Sequence, residues 1–585
     1  MKKLMLGNEA FARGLFEAGC EFVSSYPGTP STEVTEYAAK YDELYAEWAP
    51  NEKVAMEAAL GASIAGKRSF CGMKHVGLNV AADPLFTMSY TGVRGGLVVG
   101  VADDPGMHSS QNEQDTRHHA IASKIPVLEP SDSQETLEFV KIAFDISERF
   151  DTPVIVKMCT RISHSQSVVD TSEREERETI PYVKDPAKYV MVPANAKIRH
   201  PFVEERTKKL AEWGNTSGIN RVEKAADPEC KRGFITGSTS YQYIKEVFGD
   251  SVSVLKLGMP YPFPDELIKE FAKDLDDITV VEEMDPIVED HCKALGINVH
   301  GKDLLPMVGE YSQNLIAKVL AGQEVDEESK CDIETPVRPP IMCPGCPHRG
   351  IFYTLKRNKC IVIGDIGCYT LAAAEPLASM DMTLCMGASV SATHGFLKAL
   401  GEDAPKNVVG VIGDSTFIHS GMTGLAEIAY NQSNATIVIL DNSTTGMTGQ
   451  QENPTTGYNI KGDPAGKIDL EALVKAMGIR RVRVVDPLDL KACNAVVKEE
   501  LAADEPSVII TRRPCVLLKS VKKLPALRVN PDKCTGCGAC MKIGCPALAM
   551  KDGKVVVDET LCVGSGCNLC TQMCGFGAFE YPGEE

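Results

Sequence analysis

Eight cysteines lie close together near the end of this chain, and they constrain its fold more than any other feature. They fall between positions 534 and 574, whereas the other thirteen of the 21 cysteines are spread over the preceding residues. No apolar run is long enough for a signal-peptide core or approaches the roughly 20 residues of a membrane span, so we expect a cytoplasmic protein. Because disulfides are rare in the cytoplasm, the excess of cysteine indicates metal or redox chemistry.

The order of the eight cysteines resembles that of the bacterial two-cluster ferredoxins, which hold two [4Fe-4S] clusters through thiolates. In that family three cysteines of one run and one of the other run hold each cluster. The resemblance implies one cluster on Cys534, Cys537, Cys540 and Cys574, and another on Cys545, Cys562, Cys567 and Cys570.

Two spacings in the cysteine tail are longer than in the ferredoxin pattern. They separate Cys540 from Cys545 and Cys562 from Cys567, where nearby glycines could accommodate the extra residues. The alternative is a pair of zinc sites, since zinc also binds four thiolates. Zinc ribbons use paired C-x2-C knuckles rather than triplets, which favours the iron-sulfur interpretation.

The length and charge of the chain bound its organisation and its partners. At 585 residues the chain is too long for one hydrophobic core, so several domains are expected. Its formal charge of −19 would repel nucleic acid and anionic lipid over most of the surface. We therefore expect small-molecule and protein partners, with no nucleic acid and no membrane.

Alternating helical and strand-like stretches predict α/β domains with parallel sheets. In the first 165 residues, for example, a helix is predicted at 53–66 and strands at 97–102 and 153–158. The predicted parts are α/β units at 1–165, 231–330 and 341–520, a connector at 166–230, an acidic, proline-rich loop at 324–340 and the cysteine tail at 526–585.

The strongest chemical pattern lies in the third α/β unit. A strand ends at Gly413-Asp414-Ser415, a helix is predicted at 416–430, and the strand at 435–440 is followed by Asn442 and Thr444. Parallel strands bind ligands at their carboxyl ends, where Gly413 would let a phosphate approach the backbone beside a helix N-terminus. The Asp414 carboxylate, the Asn442 amide oxygen and the Thr444 carbonyl suit a magnesium ion that bridges to a diphosphate.

This pattern resembles the motif of enzymes that bind thiamine diphosphate and Mg²⁺. Asp414, Asn442 and Thr444 match the spacing of that motif, whereas Ser415 stands where a glycine is usual. The resemblance assigns cofactor binding to this turn and also to Gly367. A pair of unrelated loop residues is the alternative, because short motifs carry a risk of false matches.

The N-terminal unit resembles the pyrimidine-binding domain of pyruvate:ferredoxin oxidoreductases. The similarity lies in the turn from Tyr26 to Ser31 and in Asn51-Glu52-Lys53, which leads into a helix of small residues. It implies that Glu52 is the acid that activates thiamine, and that Thr29 contacts the substrate carboxylate or the thiamine. The structural alternative for Glu52 is an acid that stabilises a helix N-terminus.

The order of all these parts is similar to that of the alpha subunits of the indolepyruvate ferredoxin oxidoreductase family. The resemblance implies a pyrimidine domain at 1–165, a transketolase C-terminal-like domain at 231–330, a diphosphate domain at 341–520 and a ferredoxin domain at 526–585. It also implies that aryl pyruvates and coenzyme A become aryl acetyl-coenzyme A and CO₂ while ferredoxin is reduced, with a beta subunit in an α2β2 assembly.

Two questions stay open. Cys343, Cys346, Cys368 and Cys515 resemble the ligands of a third, proximal cluster, but buried structural cysteines explain them equally well. The function also has alternatives: another 2-oxoacid such as pyruvate or a branched-chain acid, or an electron-transfer subunit whose thiamine site is inactive.

Overall fold

The computed structural model describes residues 1–325, 334, 336 and 339–582. The chain divides into two compact units, Met1–Ile333 and Glu334–Glu585. Most of the predicted loop at 324–340 lies outside the described residues. Within the described ranges, no helix combines the length and the apolar character needed to cross a bilayer.

The first unit contains two layers, built on a six-stranded and a four-stranded sheet, and a separate two-stranded antiparallel pair. Its strands are β1 Lys2–Leu6, β2 Phe22–Ser25, β3 Tyr45–Trp48, β4 Ser69–Lys74, β5 Leu97–Asp103, β6 Val127–Leu128, β7 Val154–Cys159, β8 Gln166–Asp170, β9 Arg221–Glu223, β10 Arg232–Thr236, β11 Ser253–Lys256 and β12 Asp277–Val281. Its helices are α1 Gly7–Glu17, α2 Thr32–Ala38, α3 Glu52–Ile64, α4 His75–Val80, α5 Ala82–Thr91, α6 Thr116–Ser123, α7 Ser133–Phe150, α8 Thr160–His164, α9 Pro186–Tyr189, α10 Pro193–Thr216, α11 Ser238–Phe248, α12 Asp265–Ala272, α13 Ile287–Ala294 and α14 Gln313–Leu320.

The six-stranded sheet of this unit is parallel throughout, in the order β3-β2-β4-β5-β7-β6. Alternate residues of β4 face opposite sides, as the two-residue period of a strand requires. Phe70 packs on Phe11 of α1, with ring centroids 5.1 Å apart. Met73 instead joins a core with Met56 of α3 and Met88 of α5. Helices therefore cover both faces, and the predicted parallel α/β architecture is confirmed.

The second sheet of the unit has the order β12-β10-β11-β9. Its central strands are parallel, and β9 joins the edge antiparallel to β11. Phe234 packs with α11 and α14 on one face, and Ile235 packs with α12 and α13 on the other. The stretch predicted as the connector, 166–230, is more regular than its charged sequence indicates. It supplies β8, the 24-residue helix α10 and the edge strand β9.

The second unit has one large parallel sheet and a cysteine-rich tail. Its strands are β13 Ile361–Ile363, β14 Val408–Gly413, β15 Thr436–Asp441, β16 Arg481–Val485, β17 Ser507–Arg512, β18 Arg528–Val529, β19 Leu548–Lys551, β20 Lys554–Val557 and β21 Phe579–Glu580. Its helices are α15 His348–Arg357, α16 Ala388–Leu400, α17 Asp414–Thr416, α18 Met422–Asn431, α19 Leu470–Ala476, α20 Leu490–Leu501 and α21 Leu569–Met573.

The large sheet runs β13-β14-β15-β17-β16, all parallel, with hydrophobic cores on both faces. Two short antiparallel pairs, β18 with β21 and β19 with β20, frame the tail. The tail's core includes seven of the eight cysteines, all but the exposed Cys537, together with apolar side chains such as Leu569 and Phe579.

The helix predicted at 416–430 is not continuous. It divides into α17, a π-helical turn at Phe417–Gly421 and α18. The turn is closely packed, because a Cβ at Gly421 would lie 2.6 Å from Ile412 Cδ1. Such turns are rare in α-helices and are frequent beside functional sites.

A buried cluster of charges joins the two layers of the first unit. The Arg117 guanidinium, only 3% exposed, contacts Asp115 Oδ2 at 2.6 Å and Glu282 Oε2 at 2.5 Å. Its Nη2 also donates to the carbonyl oxygens of Glu283 and Asp285. Asp115 belongs to the six-stranded layer and Glu282 to the four-stranded layer. One guanidinium therefore compensates a buried carboxylate from each layer.

We expect Arg117→Met to destabilise this unit by about 3–5 kcal/mol, because it leaves buried carboxylates without a cation. The midpoint of the first transition in a urea unfolding curve should move to a clearly lower urea concentration. Lys269→Met, in the same unit, is the matched control, since it breaks an exposed ion pair with Glu266 and should move the midpoint far less. Equal shifts in the two variants would contradict the prediction.

Candidate active site

Glu52 and Thr29 lie at the same edge of the six-stranded sheet. Thr29 follows β2, and Glu52 follows β3 as the first residue of α3. Asn51 caps this helix, since its side-chain oxygen accepts a hydrogen bond from Val54 N at 2.9 Å. Glu52 is only 5% exposed. The carboxyl ends of parallel strands are the usual place for a ligand, and these two candidates both lie there.

A glycine fixes the position of the Glu52 carboxyl group. A Cβ added at Gly77, in the short helix α4 after β4, would lie 2.5 Å from Glu52 Oε1. Burial and the charge of Glu52 together raise the pKa of the neighbouring Cys71 well above its usual value. The Glu52 carboxyl therefore occupies a tight, buried space.

Asp414 and Asn442 lie side by side at the carboxyl edge of the other sheet. They follow β14 and β15, which are adjacent and parallel. Asp414 is 2% exposed and accepts a hydrogen bond from Ser415 N at 2.7 Å. Burial, with a further contribution from Asp441, raises the pKa of Asp414 to about 8. A carboxylate in such a place needs a cation to stay ionised.

The Asn442 side chain turns one terminal amide atom toward two oxygens. These are the carbonyl oxygen of Thr444, at 2.9 Å, and Oδ1 of Asp414, at 3.2 Å. As nitrogen that atom donates to both oxygens, and as oxygen it lies at the spacing of adjacent metal ligands from each. Ligands at right angles around Mg²⁺, each about 2.0–2.1 Å from the ion, are about 2.9 Å apart. The Asn442 amide thus has the spacing from the Asp414 carboxylate and from the Thr444 carbonyl that a magnesium site needs.

Two glycines press against one tyrosine ring beside this turn. A Cβ at Gly413 would lie 2.9 Å from Tyr369 Cε1, and a Cβ at Gly367 would lie 2.4 Å from the same atom. The Thr416 hydroxyl donates to the Ile366 carbonyl oxygen at 3.1 Å, so the loop of Gly367 is tied to the start of α17. The structure thus brings Gly367, Gly413 and Asp414 together.

Asp365 is a site residue that the sequence reasoning missed. Its carboxylate is fully buried and accepts hydrogen bonds from Gly387 N at 3.0 Å and Ser389 N at 2.9 Å. These amides begin α16, so Asp365 joins the loop of Gly367 to that helix. The sequence did offer a signal for Asp365: it lies two residues after the strand β13, between Gly364 and Gly367.

The four cysteines of the first predicted cluster surround one pocket. The pocket is lined by Cys534, Cys537, Cys540 and Cys574. Burial, followed by the three neighbouring thiols, raises the pKa of Cys540. Backbone amides also point at the sulfurs, with Val555 N 3.5 Å from Cys534 Sγ and Ala578 N 3.4 Å from Cys574 Sγ. Such hydrogen bonds are a feature of iron-sulfur ligands.

The other four tail cysteines form a second group. Burial raises the pKa of Cys570, and the thiols of Cys567, Cys545 and Cys562 add to the shift in that order. The glycines expected to accommodate the long spacings take left-handed backbone conformations, with φ of 69° at Gly544 and 74° at Gly564. The longer loops thus bend without moving a cysteine out of its group.

A third group contains the cysteines whose role the sequence left open. Burial and the thiols of Cys515 and Cys343 raise the pKa of Cys368 to about 11. Burial also raises the pKa of Cys346 to about 12, with Cys343 and Cys368 again among the causes. Cys515 N donates to the Asn442 carbonyl oxygen at 2.9 Å, so this group adjoins the candidate magnesium ligands.

These candidates fall into separate parts of the chain. Glu52 and Thr29 belong to the first unit, whereas the diphosphate candidates and all three cysteine groups belong to the second. In the described part of the chain, no three His, Cys, Asp or Glu side chains are arranged to hold a single metal ion. The candidate magnesium site has one carboxylate, and its other two ligands are an amide and a carbonyl oxygen.

Comparisons with known proteins agree with this division. Residues 365–511 match the C-terminal TPP binding domain of thiamine pyrophosphate enzymes, and residues 13–225 match the thiamine-diphosphate-binding domain of pyruvate flavodoxin/ferredoxin oxidoreductases. The indolepyruvate oxidoreductase subunit IorA of Pyrococcus horikoshii is 42% identical, over 99% of this chain and 97% of its own length. The IorA subunit of Archaeoglobus fulgidus is 40% identical, over 98% and 96%. The 2-oxoglutarate synthase subunit KorA of the same organism is 25% identical, over 52% of this chain and 96% of its own length.

Gly77→Ala should lower the turnover of the enzyme about tenfold or more, because its methyl group forces the Glu52 carboxyl out of place. Gly61→Ala is the matched control: it lies in α3 and has no atom within 4 Å of an added Cβ. That variant should keep full activity and gain about 0.5–1 kcal/mol of stability from helix propensity. Full activity in Gly77→Ala would show that the position of Glu52 is unimportant.

Proposed function

The chain belongs to the family of indolepyruvate oxidoreductase subunits IorA, and from this we propose that it catalyses oxidative decarboxylation of aryl pyruvates. It is an oxidoreductase subunit with thiamine-diphosphate-binding domains. We propose indolepyruvate, phenylpyruvate and 4-hydroxyphenylpyruvate as substrates, with coenzyme A as acyl acceptor. The products are then an aryl acetyl-coenzyme A, CO₂ and reduced ferredoxin.

One observation carries this proposal. The candidate ligands of a diphosphate-bound magnesium ion adjoin a group of four thiols, through the hydrogen bond from Cys515 N to the Asn442 carbonyl oxygen. A decarboxylase without an oxidation step has no need of thiols in that place. Iron-sulfur clusters accept electrons singly, which suits the oxidation of a thiamine-bound substrate.

The residues of the two sheet edges have separate tasks in this proposal. Asp414, Asn442 and the Thr444 carbonyl would hold Mg²⁺ against the diphosphate, and Gly413 and Gly367 would let the diphosphate approach the backbone. Thiamine diphosphate, when bound, would supply carbanion chemistry at the keto carbon. Glu52 would hold and return a proton at its buried Oε atoms, and Thr29 would donate a hydrogen bond to the substrate or the cofactor.

Electrons would leave through the three cysteine groups in a fixed order. They would pass from the group of Cys343 to the tail group of Cys570, and from there to the tail group of Cys540. Arg349 supports this order, because its guanidinium contacts the backbone of both the diphosphate domain and the tail. Nε lies 3.2 Å from the Cys343 carbonyl oxygen, and Nη1 lies 3.2 Å from that of Ile543. Cys540 of the first tail group is in turn among the neighbours that shift the pKa of Cys570. We propose two [4Fe-4S] clusters in the tail and a third at Cys343, Cys346, Cys368 and Cys515.

We also propose the partners implied by the family. The relatives are named as subunits, which supports a companion beta subunit, and we propose an α2β2 assembly. Ferredoxin is the proposed acceptor. Lys519, Lys522 and Lys523 are exposed beside the loop of Cys562, where Leu524 N donates to the Val563 carbonyl oxygen. Their charge would attract an acidic electron carrier to an otherwise acidic chain.

The substrate proposal is tested by anaerobic assay of the chain with its companion subunit, thiamine diphosphate, Mg²⁺ and coenzyme A. We expect the reduction of a viologen dye to be fastest with the aryl pyruvates. A higher rate with pyruvate or a branched-chain 2-oxoacid would overturn the substrate class. Activity with none of them would favour the alternative, an electron-transfer subunit with an inactive thiamine site.

Iron content tests the third cluster. The double variant Cys343→Ser and Cys515→Ser should contain about four iron atoms fewer per chain than the unchanged protein, because it removes two thiolates from one cluster. The matched control is Cys493→Ser, a buried cysteine whose thiol donates to the Asp486 carbonyl oxygen. Equal iron in the double variant and the unchanged protein would restrict the clusters to the tail.

A further inference from the structure

We propose that Lys74 binds the carboxylate of the 2-oxoacid substrate, an inference that rests on the proposed function. Lys74 is the last residue of β4, at the sheet edge that carries Thr29 and Glu52. It is 8% exposed, and burial lowers the pKa of its amine below the usual value. A buried ammonium group gains stability from any anion that can reach it.

The protein itself supplies little compensation for this charge. The Lys74 amine donates to the Ser109 carbonyl oxygen at 2.8 Å, and no described carboxylate lies within 4 Å of it. Other buried lysines of this unit are paired. Lys157 lies 3.2 Å from Glu129, and Lys256 forms an ion pair with Glu135. Lys74 thus departs from the pattern of its own domain.

The nearest acid is occupied by other donors. Asp104 contributes favourably to the charge of Lys74, but its carboxylate oxygens already accept three hydrogen bonds. The donors are Ser109 N at 2.9 Å, the Ser110 hydroxyl at 2.6 Å and the Thr160 hydroxyl at 2.6 Å. Asp104 therefore fixes the loop beside Lys74 and does not form an ion pair with it.

Lys74 lies close to the segments of both proposed catalytic residues, Thr29 and Glu52. Its Cβ lies 3.0 Å from the position that a Cβ would take at Gly28, the residue before Thr29. Three residues further along the chain, Gly77 contacts the Glu52 carboxyl. The strand end that carries Lys74 thus adjoins the segment of Thr29 on one side and leads into the helix that contacts Glu52.

No neighbouring residue offers the same charge at this strand end. His75 is buried, and burial lowers its pKa to about 4, so the imidazole is neutral at physiological pH. Its Nε2 lies 3.2 Å from the Asn112 carbonyl oxygen. The carboxylate is the one charged group that every 2-oxoacid has beside its keto carbon, and a lysine binds it as a point charge.

This role predicts an effect on binding more than on turnover. The contact exists while the carboxylate is present and is lost when CO₂ leaves. An interaction of this kind stabilises the bound substrate and does not lower the barrier of the later oxidation. Removing it should therefore raise KM for the 2-oxoacid and leave kcat nearly unchanged.

The experiment compares Lys74→Met and Lys74→Arg with the unchanged holoenzyme. We expect KM for the preferred 2-oxoacid to rise roughly 30-fold in Lys74→Met with kcat within about threefold, and Lys74→Arg to recover part of the loss. The second readout is calorimetric binding of an unreactive aryl lactate and of its amide. The unchanged enzyme should prefer the carboxylate about tenfold or more, and Lys74→Met should bind both alike.

Lys302→Met is the matched control, because Lys302 also donates to a carbonyl oxygen, that of Glu282, but belongs to the other layer. It should keep the preference for the carboxylate. If Lys74→Met does not fold, Lys74→Gln takes its place. Retention of the carboxylate preference in the folded variant would overturn the proposal. Failure of the unchanged enzyme to oxidise any 2-oxoacid would instead overturn the proposed function, and the calorimetric comparison would still decide the role of Lys74.

Discussion

Burial of charged groups at the carboxyl ends of parallel strands is the constraint on which the rest of this structure depends. Such a group is stable only if hydrogen bonds, an opposite charge or a bound ligand compensates it. At Arg117 and Asp365 the protein supplies the compensation itself, and these residues hold layers and loops together. At Asp414 and Lys74 the protein supplies less, and a ligand of opposite charge would complete each site.

The sequence predicted those parts of the site that depend on local order along the chain. Asp414 and Asn442 each follow an apolar strand, and adjacent parallel strands bring their ends together whatever lies between them. The grouping of the tail cysteines came instead from the resemblance to two-cluster ferredoxins, because close spacing alone does not say which cysteine of each run joins the other run.

Other features depend on packing between distant segments, which no local pattern reveals. Gly77 matters because it meets Glu52, and Gly367 and Gly413 matter because both meet Tyr369. The helix α10 lay in a charged stretch with little apolar periodicity, so its sequence gave no sign of 24 helical residues. The π-helical turn after α17 likewise lies where Gly421 packs closely against Ile412. These features depend on contacts between segments that are distant in the sequence.

Arg349 illustrates how one such contact can serve both structure and electron transfer. Its guanidinium is 3% exposed and joins the segment of Cys343 to the tail turn that ends at Gly544. Burial lowers the pKa of Arg349, and the thiols of Cys346, Cys545, Cys567 and Cys343 oppose that effect. A fixed positive charge between two proposed clusters would stabilise the added electron on each, because cluster potentials rise as nearby charge becomes more positive. The residue that docks the tail would thereby also favour the passage of electrons into it.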